Sequence, residues 1–96
     1  KMKLESKIIK LIEEFLKEEL EETIELTIDS RLFGGGGPLD SMALVNLILE
    51  IEEFVEDEFG KTITLADEKA MSRRTSPFAK VSYLIDYINE KIATNE

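Results

Sequence analysis

The residues best placed to do chemistry are Asp40 and Ser41, at the end of the run Gly34-Gly35-Gly36-Gly37-Pro38-Leu39. A glycine run closed by proline cannot be the interior of a helix or a strand. The apolar and acidic stretch that follows, Ala43 to Phe59, reads as helix. Asp40 and Ser41 therefore stand where a loop turns into a helix N-terminus, and both residue types cap well there. A serine hydroxyl at such a junction is exposed and lies near the positive end of the helix dipole, a favourable seat for a phosphate group. Ser41 is then either a plain cap or the attachment point of a phosphate-linked group. Asp40 is either a cap or loop carboxylate, or an aid to that attachment.

Composition removes most other chemistry. The 96 residues contain no histidine and no cysteine. Ser-His-Asp and Cys-His sites cannot be built from this chain, and disulfides and thiolate metal sites are excluded. Any reaction here uses carboxylates or a reactive group brought from outside. The balance of 21 acidic and 12 basic residues gives a formal charge of −9. Such a chain repels nucleic acid and anionic membrane surfaces, so its natural partners carry basic patches. No apolar run approaches the ~18 residues of a membrane span. No signal peptide is read, with Met2 expected as the original start behind Lys1. A hydrophobic share of 43% is enough for one small folded domain, here residues 1–96.

The elements that must hold the junction follow from periodicity. Leu4, Ile8, Leu11, Ile12, Phe15, Leu16 and Leu20 recur at three- and four-residue steps and predict an amphipathic helix from Lys3 to about Glu22. Glu22 to Pro38 reads as a long loop pinned by Ile28, Leu32 and Phe33, with Asp29 and Ser30 capping a short turn around Arg31-Leu32-Phe33. A loop this long in a small domain suggests function. The second helix is expected from Ser41 to Phe59, with Val45, Ile48, Leu49, Ile51, Phe54, Val55 and Phe59 on a wide apolar face and Gly60 as C-cap. Glu50, Glu52, Glu53, Glu56, Asp57 and Glu58 crowd its C-terminal half, where negative charge opposes the dipole. Ile63 and Leu65 read as core anchors, and Thr64 as the cap of a short helix from Leu65 to Met71. Ser76-Pro77 reads as the start of a last helix, with a stripe of Phe78, Val81, Leu84, Ile85, Ile88 and Ile92 and with Tyr83 and Tyr87 at its edge. The sum is an all-α, four-helix bundle of three long helices and one short one, with a long loop between helices 1 and 2.

The order helix, long loop, Asp40-Ser41-Met42, acidic helix, short helix, final helix resembles the acyl carrier protein family over nearly the whole chain. The resemblance implies that Ser41 bears 4′-phosphopantetheine, attached by a phosphopantetheinyl transferase, and that Asp40 helps to position the metal-bound coenzyme A of that reaction. It implies a carrier rather than an enzyme, cytoplasmic and monomeric, holding an acyl or aminoacyl group as a thioester for fatty-acid, polyketide or related biosynthesis. Its partners would be acyl-activating or acyl-transferring enzymes with basic docking patches. The spacing from Leu32-Phe33 to Leu39-Asp40-Ser41-Met42, and Arg74-Thr75-Ser76-Pro77-Phe78, look closest to D-alanyl-type and other specialised carriers. Two features depart from the family. Gly34 to Gly37 replace the usual one or two glycines, and the second helix runs about one turn longer.

Each remaining signal has a plainer reading. Met42 is either core or a flexible thioether for partners, while Val45 and Leu49 are expected mostly in the core. The acidic run is either a solvated face or a docking face, with Asn46, Glu50 and Glu53 the contacts nearest the motif. Gly34 to Gly37 lack the lysine and the preceding strand of a phosphate-binding loop, so they read as a flexible spacer. Arg73 and Arg74 read as surface charge. The calcium-loop pattern is missing, and no metal site is expected. An unmodified acidic helical interaction module is the alternative of another class.

Overall fold

A computed structural model describes residues 3–71 and 75–94. Helix α1 spans Leu4–Leu20 and buries Ile8, Ile12, Phe15 and Leu16, one stripe at helical spacing. It ends because Glu21 takes a left-handed conformation at φ 56°, so the helix stops short of Glu22. Helix α2 spans Ser41–Phe59, the expected bounds. Asp40 caps it by accepting the Ala43 amide at 2.8 Å, and Gly60 closes it at φ 67°. A single helical turn, α3, covers Glu68–Met71, and α4 covers Val81–Thr94. The described residues are thus all-helical, with three long helices and no strand.

The helices close around one core that includes Ile12, Leu16, Leu32, Leu47, Ile51, Leu65, Leu84 and Ile88. The radius of gyration, 12.6 Å, is that of a single compact unit of this length. Helices α1 and α2 run antiparallel. The Lys7–Glu58 ion pair at 2.8 Å joins the start of α1 to the end of α2, and Glu18 and Glu50 share the other end of the same groove.

The connection between α1 and α2 is more ordered than a loop pinned at three apolar points. Leu26 and Leu32 are buried and Phe33 is half-buried, but Ile28 is exposed, so it is not an anchor. Leu26 takes that role, its amide held by the Glu13 carboxylate at 2.8 Å. The turn lies at Thr27–Ser30, where the Ser30 amide bonds the Thr27 carbonyl and each hydroxyl accepts a main-chain N–H, rather than around Arg31-Leu32-Phe33. Arg31 to Phe33 are extended and pair with the segment before α4. The Leu32 amide donates to the Ala79 carbonyl at 2.8 Å and the Phe33 amide to the Phe78 carbonyl at 3.1 Å.

That pairing explains why the last helix does not begin at Ser76-Pro77. Ser76 accepts the Phe78 amide through its hydroxyl and the Ala79 amide through its carbonyl, which makes a turn. The carbonyls of Phe78 and Ala79 at that turn are then taken by the amides of Phe33 and Leu32, Lys80 bridges Arg31, and the helix starts at Val81. The short helix is also capped differently from expectation. Thr64 is exposed, and Asp67 accepts the Ala70 amide at 2.9 Å instead. Ile63 and Leu65 are buried as read from the sequence. Tyr87 is buried rather than at an edge, because its hydroxyl finds the Leu65 carbonyl at 2.8 Å and Asp67 at 3.0 Å. Arg73 and Arg74 lie outside the described residues.

Candidate functional site

Ser41 is the first residue of α2 and is exposed. The Asp40 carboxylate takes the Ala43 amide, and the Asp40 carbonyl takes the Leu44 amide at 2.9 Å. Ser41 and Met42 precede the first intrahelical bond, so α2 itself supplies their amides no carbonyl partner, and they lie at the positive end of the dipole. A phosphate ester on the Ser41 hydroxyl would meet these donors and open solvent. The residues present therefore fit a phosphate-linked group at this position. Asp40 is exposed as well, but its described bond is that of a cap.

Downstream of Ser41 the exposed side of α2 is unlike an ordinary solvated face. Met42 is 74% exposed, Val45 55% and Leu49 58%. Val45 and Leu49, expected mostly in the core, are therefore surface residues. The core side of the helix is formed by Ala43, Leu44, Leu47, Ile48, Ile51 and Val55. The first half of α2 is apolar around most of its circumference, so periodicity alone does not choose which stripe faces inward. The buried stripe is the one continuous with Ile51 and Val55. At 3.6 residues per turn, Met42, Val45, Asn46, Leu49, Glu53 and Glu56 share the opposite face. Asn46, Glu50 and Glu53 are exposed, as a docking role needs.

The acidic run divides into two kinds. The Glu52 carboxylate accepts the Leu65 amide at 2.8 Å, and Glu58 pairs with Lys7, so both hold the fold. Glu50, Glu53, Glu56 and Asp57 are exposed. Glu50 also borders a groove between α1 and α2 floored by Leu11, Phe15 and Phe54, about 440 Å³ in volume. This groove lies toward the far end of α2 from Ser41.

The loop before Ser41 reads as a flexible spacer in sequence, and its Gly37 end is packed against main chain while Gly34 and Gly35 face open space. A β-carbon on Gly37 would lie 2.3 Å from the Leu32 carbonyl oxygen and 2.6 Å from the carbonyl carbon. Only glycine permits that approach. It is accompanied by bonds from the Gly37 amide to the Gly34 carbonyl and from the Leu39 amide to the Leu32 carbonyl, each 3.0 Å. Arg31 donates from Nε to the Gly35 carbonyl at 3.1 Å, its stem lying 3.8 Å from where a Gly36 β-carbon would be. Sequence reasoning missed Arg31 and Leu39 as parts of the site, and a main-chain approach of this kind leaves only the glycine itself as a signal.

Compared with known proteins, the chain matches no family model, no curated protein and no solved structure. No group of three or more carboxylates placed to hold a metal ion occurs among the described residues. No helix among them is long and apolar enough to cross a membrane.

Proposed function

We propose that the chain is an acyl-carrier-type four-helix bundle, cytoplasmic and monomeric, that presents a covalently tethered acyl or aminoacyl group to other enzymes. The reading is carried by one observation. An exposed serine begins a helix whose outward face pairs an apolar stripe, Met42, Val45 and Leu49, with the carboxylates Glu50 and Glu53. An apolar stripe of that kind is a contact surface rather than a solvated one. Flanking charge would steer partners with basic patches and still allow release.

Attachment of the arm is a displacement at phosphorus. The Ser41 oxygen bonds to the phosphorus of coenzyme A that carries the pantetheine, the bond to the nucleotide phosphate breaks, and the hydroxyl proton passes to a base on the transferase. Asp40 holds the first turn of α2 so that the hydroxyl is offered in one place. The amides of Ser41 and Met42 stabilise the resulting phosphodiester. When bound, 4′-phosphopantetheine supplies the thiol this chain lacks, on which cargo is held as a thioester. The chain itself catalyses nothing in this scheme, since it has no histidine or cysteine to pair with Ser41.

Intact-mass measurement after incubation with coenzyme A and a broad-specificity phosphopantetheinyl transferase tests the proposal. A gain of one phosphopantetheine, lost in Ser41→Ala, supports it. No gain with any transferase leaves an unmodified interaction module using the same α2 face.

A further inference from the structure

We propose that the segment from Arg31 to Leu39 is a positioning device for Ser41, in which Gly37 sets where α2 begins. The inference rests on the carrier reading and adds to it what the glycine run does.

Leu32 is bonded on both sides. Its amide donates to the Ala79 carbonyl at 2.8 Å, and its carbonyl accepts the Leu39 amide at 3.0 Å. Its side chain and that of Leu39 are buried in the core. A main-chain relay therefore runs from the segment before α4, through Leu32, to Leu39, the residue before the Asp40 cap. The relay closes only if residue 37 passes against the Leu32 main chain, where any β-carbon would overlap the carbonyl oxygen at 2.3 Å. Arg31 braces the other side of the same loop through the Gly35 carbonyl. This also accounts for a local oddity. Arg31 and Lys80 face each other across an antiparallel bridge, an unfavourable placement for two cations, and Arg31 is held there by its bond to the glycine loop.

A side chain at residue 37 must push the loop off Leu32 and carry Leu39 and Asp40 with it. The bonds from Ala43 and Leu44 to Asp40 are then lost, and the first turn of α2 frays. The rest of α2 stays, because Leu47, Ile48, Ile51 and Val55 remain in the core. The outward stripe that meets a partner is preserved, while the hydroxyl that must react loses its fixed place. Small misplacements of a reacting group are costly in rate.

The test is steady-state phosphopantetheinylation of the full chain, with coenzyme A and a broad-specificity transferase, for wild type and Gly37→Ala. Folding is checked by two-dimensional NMR, and amide exchange is followed at Ala43, Leu44 and Ile51. A positioning role lowers kcat by about tenfold with KM for the carrier unchanged, and speeds exchange at Ala43 and Leu44 but not at Ile51. A merely structural role reduces the folded fraction and raises apparent KM with kcat unchanged, which overturns the inference, as does a wild-type kcat. If Gly37→Ala does not fold, Arg31→Met decides, because it keeps the stem and removes only the bond to Gly35. A kcat about threefold lower supports the inference, and a wild-type value overturns it. If the wild-type chain gains no phosphopantetheine at all, the carrier reading fails, and the exchange measurements still test the loop.

Discussion

The carboxylate of Glu52 accepts the main-chain amide of Leu65 at 2.8 Å, across 13 residues of sequence, and Glu13 does the same for Leu26 across the same separation. Each of the first two long helices thus lends one carboxylate to anchor the segment that follows it, beside a buried leucine. Glu52→Ala leaves the Leu65 amide without its charged acceptor and is expected to lower stability by about 1.5–3 kcal/mol. Glu53→Ala and Glu56→Ala, on exposed neighbours, should change it by no more than about 0.5 kcal/mol. Urea unfolding followed by circular dichroism compares the three.

Asp67 ties α3 to α4. It accepts from Lys91 Nζ, from the Ala70 amide at 2.9 Å and from the Tyr87 hydroxyl at 3.0 Å. The Lys91 hydrogen bond, then the Ala70 amide, holds its carboxyl well below the usual carboxylate range. A group whose folded value is depressed adds stability that is fully present above its unfolded value, about 3.9, and is lost as pH falls through the folded one. Stability is therefore predicted to be insensitive to Asp67 from neutral pH down to about 4 and to fall below it. Asp67→Asn should be less stable than wild type at pH 7, with the difference shrinking in acid. Thermal unfolding across that pH range measures it.

The outward stripe of α2 separates contact from core. Val45→Ser and Leu49→Ser remove exposed side chains and should alter stability by no more than about 0.5 kcal/mol, while slowing transferase modification of Ser41. Leu47→Ala, at a fully buried position, should cost about 2–5 kcal/mol. Equal destabilisation by Val45→Ser and Leu47→Ala would place residue 45 in the core after all.

The contrast between Val45 and Leu47 also marks what was legible in the sequence. The ends of α2 were readable because each has its own local chemistry, the Asp40 cap and the left-handed Gly60. The direction of its inner face was not, because apolar residues surround the first half of the helix and only tertiary contacts choose among stripes. The start of α4 misled for a related reason. Ser76-Pro77 has the local form of a helix start, but pairing of 78–80 with 31–33 competes for the same backbone and prevails. Thr64 lost the α3 cap to Asp67, which gains Lys91 and Tyr87 as further partners. For the candidate site, Asp40 and Ser41 were visible as a motif at a junction. The role of Gly37 was not, since it depends on the Leu32 main chain five residues away in sequence but in contact in space.

The most direct measurement is the intact mass of the chain after incubation with coenzyme A and a phosphopantetheinyl transferase. A carrier gains the mass of one phosphopantetheine, the gain maps to the peptide containing Ser41, and Ser41→Ala abolishes it while the fold is kept. An unchanged mass with every transferase tried, or a gain that persists in Ser41→Ala, would contradict the tether at this serine.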